Sequence, residues 1–334
     1  LQNSDLIISL GTRLSIPMMG YVEKEFARNA KIIYVDIDKT EYSKFENKKK
    51  FLFYNDDAKN FLTFLLKELK FKKYQKKNNW LKYCKKTLNS FPHLEFPTHE
   101  DKKNYLNSYK FIHNLSNYLK KDSCIVTDMG TALLSGHQKI ILKKNQKIMT
   151  STGLGEMGYG LPGAIGASFG LNKKEVICLN CDGGIMMNLQ ELQTIDEYKL
   201  PIKIFVFNND GYLMIKHTQK NLFSGRFSAV DKKTGVSCPN FKKVAAAFNM
   251  KYYLIKNWKD FNLQIPKIFK EKRAIICDVM MDPLQFFYPK LSTAMTKEGK
   301  IISPPLEDLS PLVNRSTLND SMIIPIHKKS KNIN

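Results

Sequence analysis

Val176-Ile177-Cys178-Leu179-Asn180-Cys181-Asp182-Gly183-Gly184 and, further on, Ile202-Lys203-Ile204-Phe205-Val206-Phe207-Asn208-Asn209-Asp210-Gly211 decide how this sequence folds. Each begins with a short apolar run and ends in a polar turn containing glycine. A run rich in β-branched and aromatic residues, bounded by turn residues, reads as a buried strand. Between the two, Asn188 to Tyr198 carries Leu189, Leu192 and Ile195 on one stripe, the spacing of a helix. Strand, helix and strand in this order predict a mostly parallel sheet with ligands at the strands' C-terminal ends.

Asp182 and Asn209 lie 27 positions apart, enough for a helix and a returning strand. Both turns would then emerge from one edge of the sheet. A carboxylate, an amide oxygen and a backbone carbonyl meeting there would suit Mg²⁺, which prefers hard oxygen ligands and completes its shell with phosphates. Gly183 and Gly184 would let backbone N–H groups approach a diphosphate closely. Either turn alone is usually only a turn. The pair, at this spacing and each behind an apolar strand, is far more specific.

Outward from this pair, the α/β alternation covers residues 105–282. Ser108 to Leu119 reads as a helix, Cys124 to Thr127 as a strand, and Ala274 to Val279 as a later strand. The Gly-rich segment from Thr152 to Gly170 opens a helix near Leu161. The fold class is α/β: open, mostly parallel sheets with helices on both faces. Residues 1–75 form a second, partial Rossmann-like α/β domain. Its strands are Leu6 to Leu10 and Lys31 to Asp36, and its helices Met18 to Asn29 and Asp57 to Leu69, with Phe61, Phe64 and Leu65 on one face of the last. Leu1 stands just before the first strand, so the chain is expected to begin inside a domain. Residues 76–104, rich in Lys and Asn, read as a partly helical linker in which His93 and His99 are surface residues. Residues 283–334 read as a tail that wraps over the domain or a neighbouring subunit.

Of the 334 residues, 43% are hydrophobic, which excludes a disordered chain, and no apolar run approaches a membrane span of ~20 residues. The formal net charge of +22 comes mainly from scattered Lys, with short runs at Lys48-Lys49-Lys50 and Lys328-Lys329. Arg for base or bidentate phosphate recognition is sparse, so a Lys-rich solvated surface accounts for the charge better than nucleic-acid binding. Six cysteines spread over this length suit core thiols in a reducing, cytoplasmic setting. Cys178 and Cys181 are formally a C-x-x-C, but three positions along a strand point to opposite faces, which argues against a zinc or redox pair.

The Asp182/Asn209 constellation resembles the fingerprint of thiamine-diphosphate-dependent enzymes: Gly-Asp-Gly, roughly 25 to 30 residues, then Asn-Asn. The likeness is closest to the acetolactate-synthase large-subunit branch and runs across nearly the whole chain. Gly153-Leu154-Gly155-Glu156-Met157-Gly158-Tyr159-Gly160-Leu161-Pro162 resembles that branch's Gly-rich segment, and Thr127-Asp128-Met129-Gly130 its loop to the diphosphate. The resemblance implies the thiamine-diphosphate-binding fold for 105–282 and the C-terminal half of the middle domain for 1–75. It implies that Asp182, Asn209 and the Gly211 carbonyl ligate Mg²⁺. Gly130, Thr131, Gly183, Gly184 and Tyr212 would line the diphosphate. The Gly155 carbonyl would meet the pyrimidine amino group, and Met157 would wedge beneath the cofactor and bend it. Read without the resemblance, Met157 is an ordinary core methionine. The implied activity is decarboxylation of a 2-keto acid, with pyruvate as donor, and carboligation to an acceptor. The cofactor would act as electron sink while the protein positions it and controls water.

The sequence departs from the family pattern at three places. Cys181 stands where the fingerprint has its first Gly. The family's activating glutamate belongs to an N-terminal domain outside this sequence, so this stretch alone is expected to be inactive. Thr218 stands nine positions after Asn209, where acetolactate synthases carry a Trp that helps select the acceptor. With Met214 it marks a candidate substrate segment that leaves room for a larger or more polar acceptor, such as a keto-sugar nucleotide of surface-polysaccharide synthesis. Lys216 and His217 in that segment read as the solvated face of a helix, ahead of a contact to an acidic substrate. A simple decarboxylase and a non-catalytic paralogue remain as alternatives. The resemblance implies a homodimer or homotetramer with sites at the subunit interface, and partners that are small molecules and neither nucleic acid nor membrane. It leaves FAD open, in the middle domain near Gly11, Arg13 and Asp36.

Overall fold

The computed structural model describes residues 1–70, 72–73, 76–91 and 100–333. His93 and His99, read as surface residues of the linker, lie outside them. The chain divides into two compact units, Leu1–Phe91 with Tyr288–Asn334, and Pro92–Phe287. No described helix is long and apolar enough to cross a membrane.

The first unit is built on a parallel sheet of β1 (Leu6–Leu10), β2 (Lys31–Asp36) and β3 (Phe51–Asn55), in that order. Phe26, Ile32, Tyr34, Phe45 and Phe51 fill its core. Met18 to Asn29 does not form one helix. The short α1 (Ile16–Met19) stops at Gly20, whose φ of 84° leaves the right-handed region, and only a 3₁₀ turn, Glu23–Glu25, follows. The next helix, α2 (Ala58–Leu69), is capped by Asp57, whose side chain accepts the Lys59 N–H. Phe61 is buried while Phe64 is exposed, so the apolar stripe is only partly covered. Within the stretch read as a linker, α3 (Asn78–Ser90) is fully helical. Residues 283–334 divide between the units at Tyr288. From there on they join the first unit, where Arg28 and Gln2 both bond Glu307 at 2.6 Å and Asn3 accepts the Ile323 N–H at 2.9 Å.

The second unit is a six-stranded parallel sheet with helices on both faces. In chain order its elements are α4 (Ser108–Leu115), β4 (Cys124–Thr127), α5 (Thr131–Lys139), β5 (Lys147–Met149), α6 (Gly160–Gly170), β6 (Val176–Cys181), α7 (Asp182–Ile185), α8 (Glu191–Glu197), β7 (Ile202–Asn208), α9 (Leu213–Leu222), α10 (Phe241–Ala247), β8 (Lys251–Ile255), α11 (Trp258–Ile268) and β9 (Ile275–Met280). The strand order is β5-β4-β6-β7-β9-β8, every pair parallel. Side chains alternate between the faces with the period of two that a strand imposes. Ile177, Leu179, Cys181, Phe205 and Phe207 pack with α4 and α11 on one side. Val176, Cys178, Ile204 and Val206 pack with α6, α8 and α10 on the other. Cys178 and Cys181 therefore belong to opposite faces. Phe111 of α4 meets Phe205, Phe207 and Phe261 edge-to-face at 6.0, 5.6 and 5.5 Å. Lys203, fully buried in β7, is satisfied by the carbonyls of Glu271 and Arg273 at 2.7 and 2.8 Å, and burial pulls its ammonium pKa down.

Candidate functional site

Parallel pairing of β6 and β7 puts Cys181 opposite Phe207, so the turns after both strands open at the same edge. Asp182 sits at that edge with no exposed surface. Its Oδ1 accepts the Gly183 N–H at 2.8 Å, and its Oδ2 accepts the N–H groups of Asn209 and Gly211, both at 3.0 Å. One carboxylate thus fixes the shape of both turns. Burial pushes its pKa up to about 6, against the pull of those three donors. Asn209 is also buried, and its Nδ2 donates to Thr131 Oγ1 at 3.0 Å. Its Oδ1 has no hydrogen-bond partner. A buried acceptor left without a donor costs about 1–3 kcal/mol, a cost that a bound cation or ligand at this oxygen would offset.

The glycines here are places of close approach. Gly183 leaves room for the Tyr212 ring, since a Cβ would lie 2.3 Å from Cε1. At Gly211, with φ of 115°, a Cβ would lie 2.2 Å from the Val230 carbonyl oxygen, which accepts the Tyr212 N–H at 2.8 Å. The Gly-rich segment returns to the same edge. Asp128, at the end of β4, accepts the N–H groups of Gly158 and Gly160 at 2.9 and 3.3 Å, and Asn188 donates to the Gly158 carbonyl at 2.9 Å. Cys181, in the place of the fingerprint's first Gly, uses its side chain: Sγ lies 3.1 Å from the Met129 carbonyl and 3.3 Å from the Ala132 N–H.

These segments surround one cavity of about 340 Å³. Gly130, Thr131, Gly155, Met157, Gly183, Gly184, Asn209, Gly211, Tyr212 and Met214 line it, and Asp182 lies buried behind the turns it staples. The remaining lining, Met129, Leu133, Leu134, Cys181, Leu213 and Ile215, is mostly apolar. Thr218 is not part of it: it is exposed on α9, its hydroxyl donating to the Met214 carbonyl at 3.2 Å. Lys216 and His217, read as a solvated face, are buried instead. Lys216 pairs with Asp231 at 3.0 Å, and His217 Nε2–H donates to the Gln285 carbonyl at 2.8 Å with its ring beside Phe286 and Phe287. Neither lines the cavity, because α9 turns Met214 and Ile215 toward it.

Among the described residues no group of three or more His, Cys, Asp or Glu could hold a metal. Any cation here would therefore meet one carboxylate, one amide oxygen and carbonyls, a donor set for a hard ion. Sequence reasoning placed Asp128 in the loop to the diphosphate and Asn188 at a helix start but gave neither side chain a role. Asp128 does share one signal with Asp182: an Asp at the C-terminal end of a buried strand.

Residues 128–279 match the family described as thiamine pyrophosphate enzyme, C-terminal TPP binding domain. With its fold and this site, residues 128–279 carry the cofactor-binding domain of the thiamine-diphosphate-dependent enzymes. Among these enzymes the chain is similar to acetolactate synthase large subunits. It is 33% identical over 293 residues to that of Porphyra purpurea, covering 86% of this chain and 48% of the relative. It is 32% identical over 291 residues to the isozyme 1 large subunit of Escherichia coli K12, covering 86% and 49%. The chain spans about half the length of these relatives. In fold it is similar to a thiamine diphosphate-dependent 4-hydroxybenzoylformate decarboxylase of Rhodococcus jostii RHA1, with a TM-score of 0.64 and 19% identity over 83% of this chain and 49% of that one.

Proposed function

We propose that this chain holds thiamine diphosphate through Mg²⁺ and serves a carboligase that decarboxylates pyruvate and passes the two-carbon unit to an acceptor carbonyl. The observation that carries the reading is the Asn209 Oδ1, buried, oriented by the Nδ2 bond to Thr131, and without a donor. Asp182, Asn209 Oδ1 and the Gly211 carbonyl would hold the metal. Gly130, Thr131, Gly183, Gly184 and Tyr212 would receive the diphosphate, and Gly155 and Met157 the other end. When bound, the cofactor supplies the electron sink that lets CO₂ leave a 2-keto acid. The protein's part is to fix the two turns through Asp182 and to limit water with an apolar lining.

The relatives named acetolactate synthase support the donor and the carboligation. Met214 and Ile215, not Thr218, would face the substrate. An apolar rim of Leu154, Met187, Met214 and Ile215 is exposed beside the cavity, which favours a second subunit covering it. All six cysteines are free, in keeping with a reducing cytoplasm.

Calorimetric titration of the chain with thiamine diphosphate tests the reading. Binding is expected with Mg²⁺ and lost in EDTA; no binding in the presence of Mg²⁺ refutes it. For the chemistry, the chain is supplied with the N-terminal half of an acetolactate synthase large subunit and given pyruvate. Acetaldehyde as sole product, with no acetolactate, overturns the carboligation.

A further inference from the structure

Asp128, like Asp182, is buried at this edge of the sheet without a salt-bridge partner among the described residues. It has no exposed surface. Its Oδ1 takes the N–H groups of Gly158 and Gly160, which begin the turn into α6. Its Oδ2 makes no hydrogen bond and lies against Gly184, where a Cβ would come within 1.8 Å of it. An unsatisfied, buried carboxylate oxygen is expensive, and an apolar core could fill this volume at less cost. The carboxylate thus holds by hydrogen bonds the Gly-rich segment carrying Gly155 and Met157, while its other oxygen packs against Gly184 of the turn 26 or more positions further on. Asn188 completes the grip by holding the Gly158 carbonyl from the opposite side.

We propose that Asp128 is a positioning residue: it sets the Gly155–Met157 segment against the diphosphate turn, so that both ends of one ligand are met at once. This rests on the cofactor reading above. Gly155 and Gly158 have φ of 71° and 94°, so the segment is a chain of turns with little structure of its own, and external anchors decide where it lies. Asp128 acts through the backbone N–H groups it binds and does not line the cavity.

Two measurements on the chain test this, with Asp128→Ala and the isosteric Asp128→Asn. Asn keeps an oxygen for the two N–H groups; Ala keeps none. The first is hydrogen–deuterium exchange, which needs no cofactor. Residues 151–160 are expected to exchange faster in the Ala variant and as in the parent for Asn, with β6 and β7 unchanged. The second is binding of thiamine diphosphate, with Mg²⁺ and inorganic diphosphate as a probe of the diphosphate half alone. Ala is expected to weaken thiamine diphosphate by roughly tenfold or more and inorganic diphosphate by less than about threefold, while Asn stays within about threefold for both. Unchanged exchange in Asp128→Ala, equal losses for the two ligands, or failure of Asn to rescue each overturns the proposal. A parent chain that binds no thiamine diphosphate refutes the cofactor reading and this one with it. A parent that binds, beside an Asp128→Ala that binds equally, refutes only this one.

Discussion

Replacing Gly184 by alanine puts a methyl group 1.8 Å from Asp128 Oδ2 and 3.0 Å from its carboxyl carbon. Carbon and oxygen cannot come closer than about 3 Å, so the carboxylate must withdraw by more than 1 Å. It is not free to do so. Its other oxygen is held by the Gly158 and Gly160 N–H groups at 2.9 and 3.3 Å, and the whole group is buried. Hydrogen bonds to a charged group contribute about 1.5–3 kcal/mol each, so losing both costs about 3–6 kcal/mol. That is a large part of the 5–15 kcal/mol typical of a domain. The cost should belong to the pair of residues. With Asp128→Ala already present there is no oxygen to strike, and the Gly184→Ala change should then cost less than about 1 kcal/mol. Urea unfolding of the four variants measures this. The chain has two tryptophans, and a Trp80→Phe background leaves Trp258 to report on the second unit alone. Equal costs of Gly184→Ala in both backgrounds would refute the reasoning, since the strain would then lie elsewhere in the turn.

Asp182→Ala should abolish Mg²⁺-dependent binding of thiamine diphosphate in a calorimetric titration, because it removes the proposed metal ligand and releases the N–H groups of Asn209 and Gly211; unchanged affinity would sink the site assignment. Asp128 also makes a pH signature. Burial raises its pKa from 3.8 to about 6, so the folded chain holds that proton more tightly than the unfolded one. The associated stability is fully present below about pH 4 and is lost as the pH climbs to about 6, by about 3 kcal/mol at most. Asp128→Asn cannot titrate. Its stability relative to the parent should therefore rise between pH 4 and 6 and stay level above, in metal-free urea unfolding; a difference that does not vary with pH would contradict the buried-carboxylate account.

Several elements are legible in the residue pattern itself. Leu6–Leu10, Lys31–Asp36 and Cys124–Thr127 have the limits their apolar runs suggest, because burial on a sheet demands an uninterrupted run and the turn residues end it. Phe51–Asn55 and Lys251–Ile255, edge strands like Leu6–Leu10, were passed over although Phe51 to Tyr54 and Tyr252 to Ile255 are apolar runs of the same kind. The Met18–Asn29 helix fails at Gly20, where a positive φ ends it after one turn.

The sequence by itself determined the chemistry that could meet at one sheet edge. Asp182, Gly183, Gly184 and Asn209 stand at fixed distances behind two buried strands, and parallel pairing of neighbouring strands leaves their following turns nowhere else to go. Tertiary structure alone decided which other groups join them. Asp128 reaches Gly158 across 30 positions, and Asn188 reaches the same glycine from the other direction. α9 rotates so that Met214 and Ile215 face the cavity, while Lys216 and His217 turn to Asp231 and Gln285. Those outcomes depend on the packing of whole elements, where a helix turned by one residue exchanges its cavity face for its core face, and no local pattern records which rotation gives the better fit.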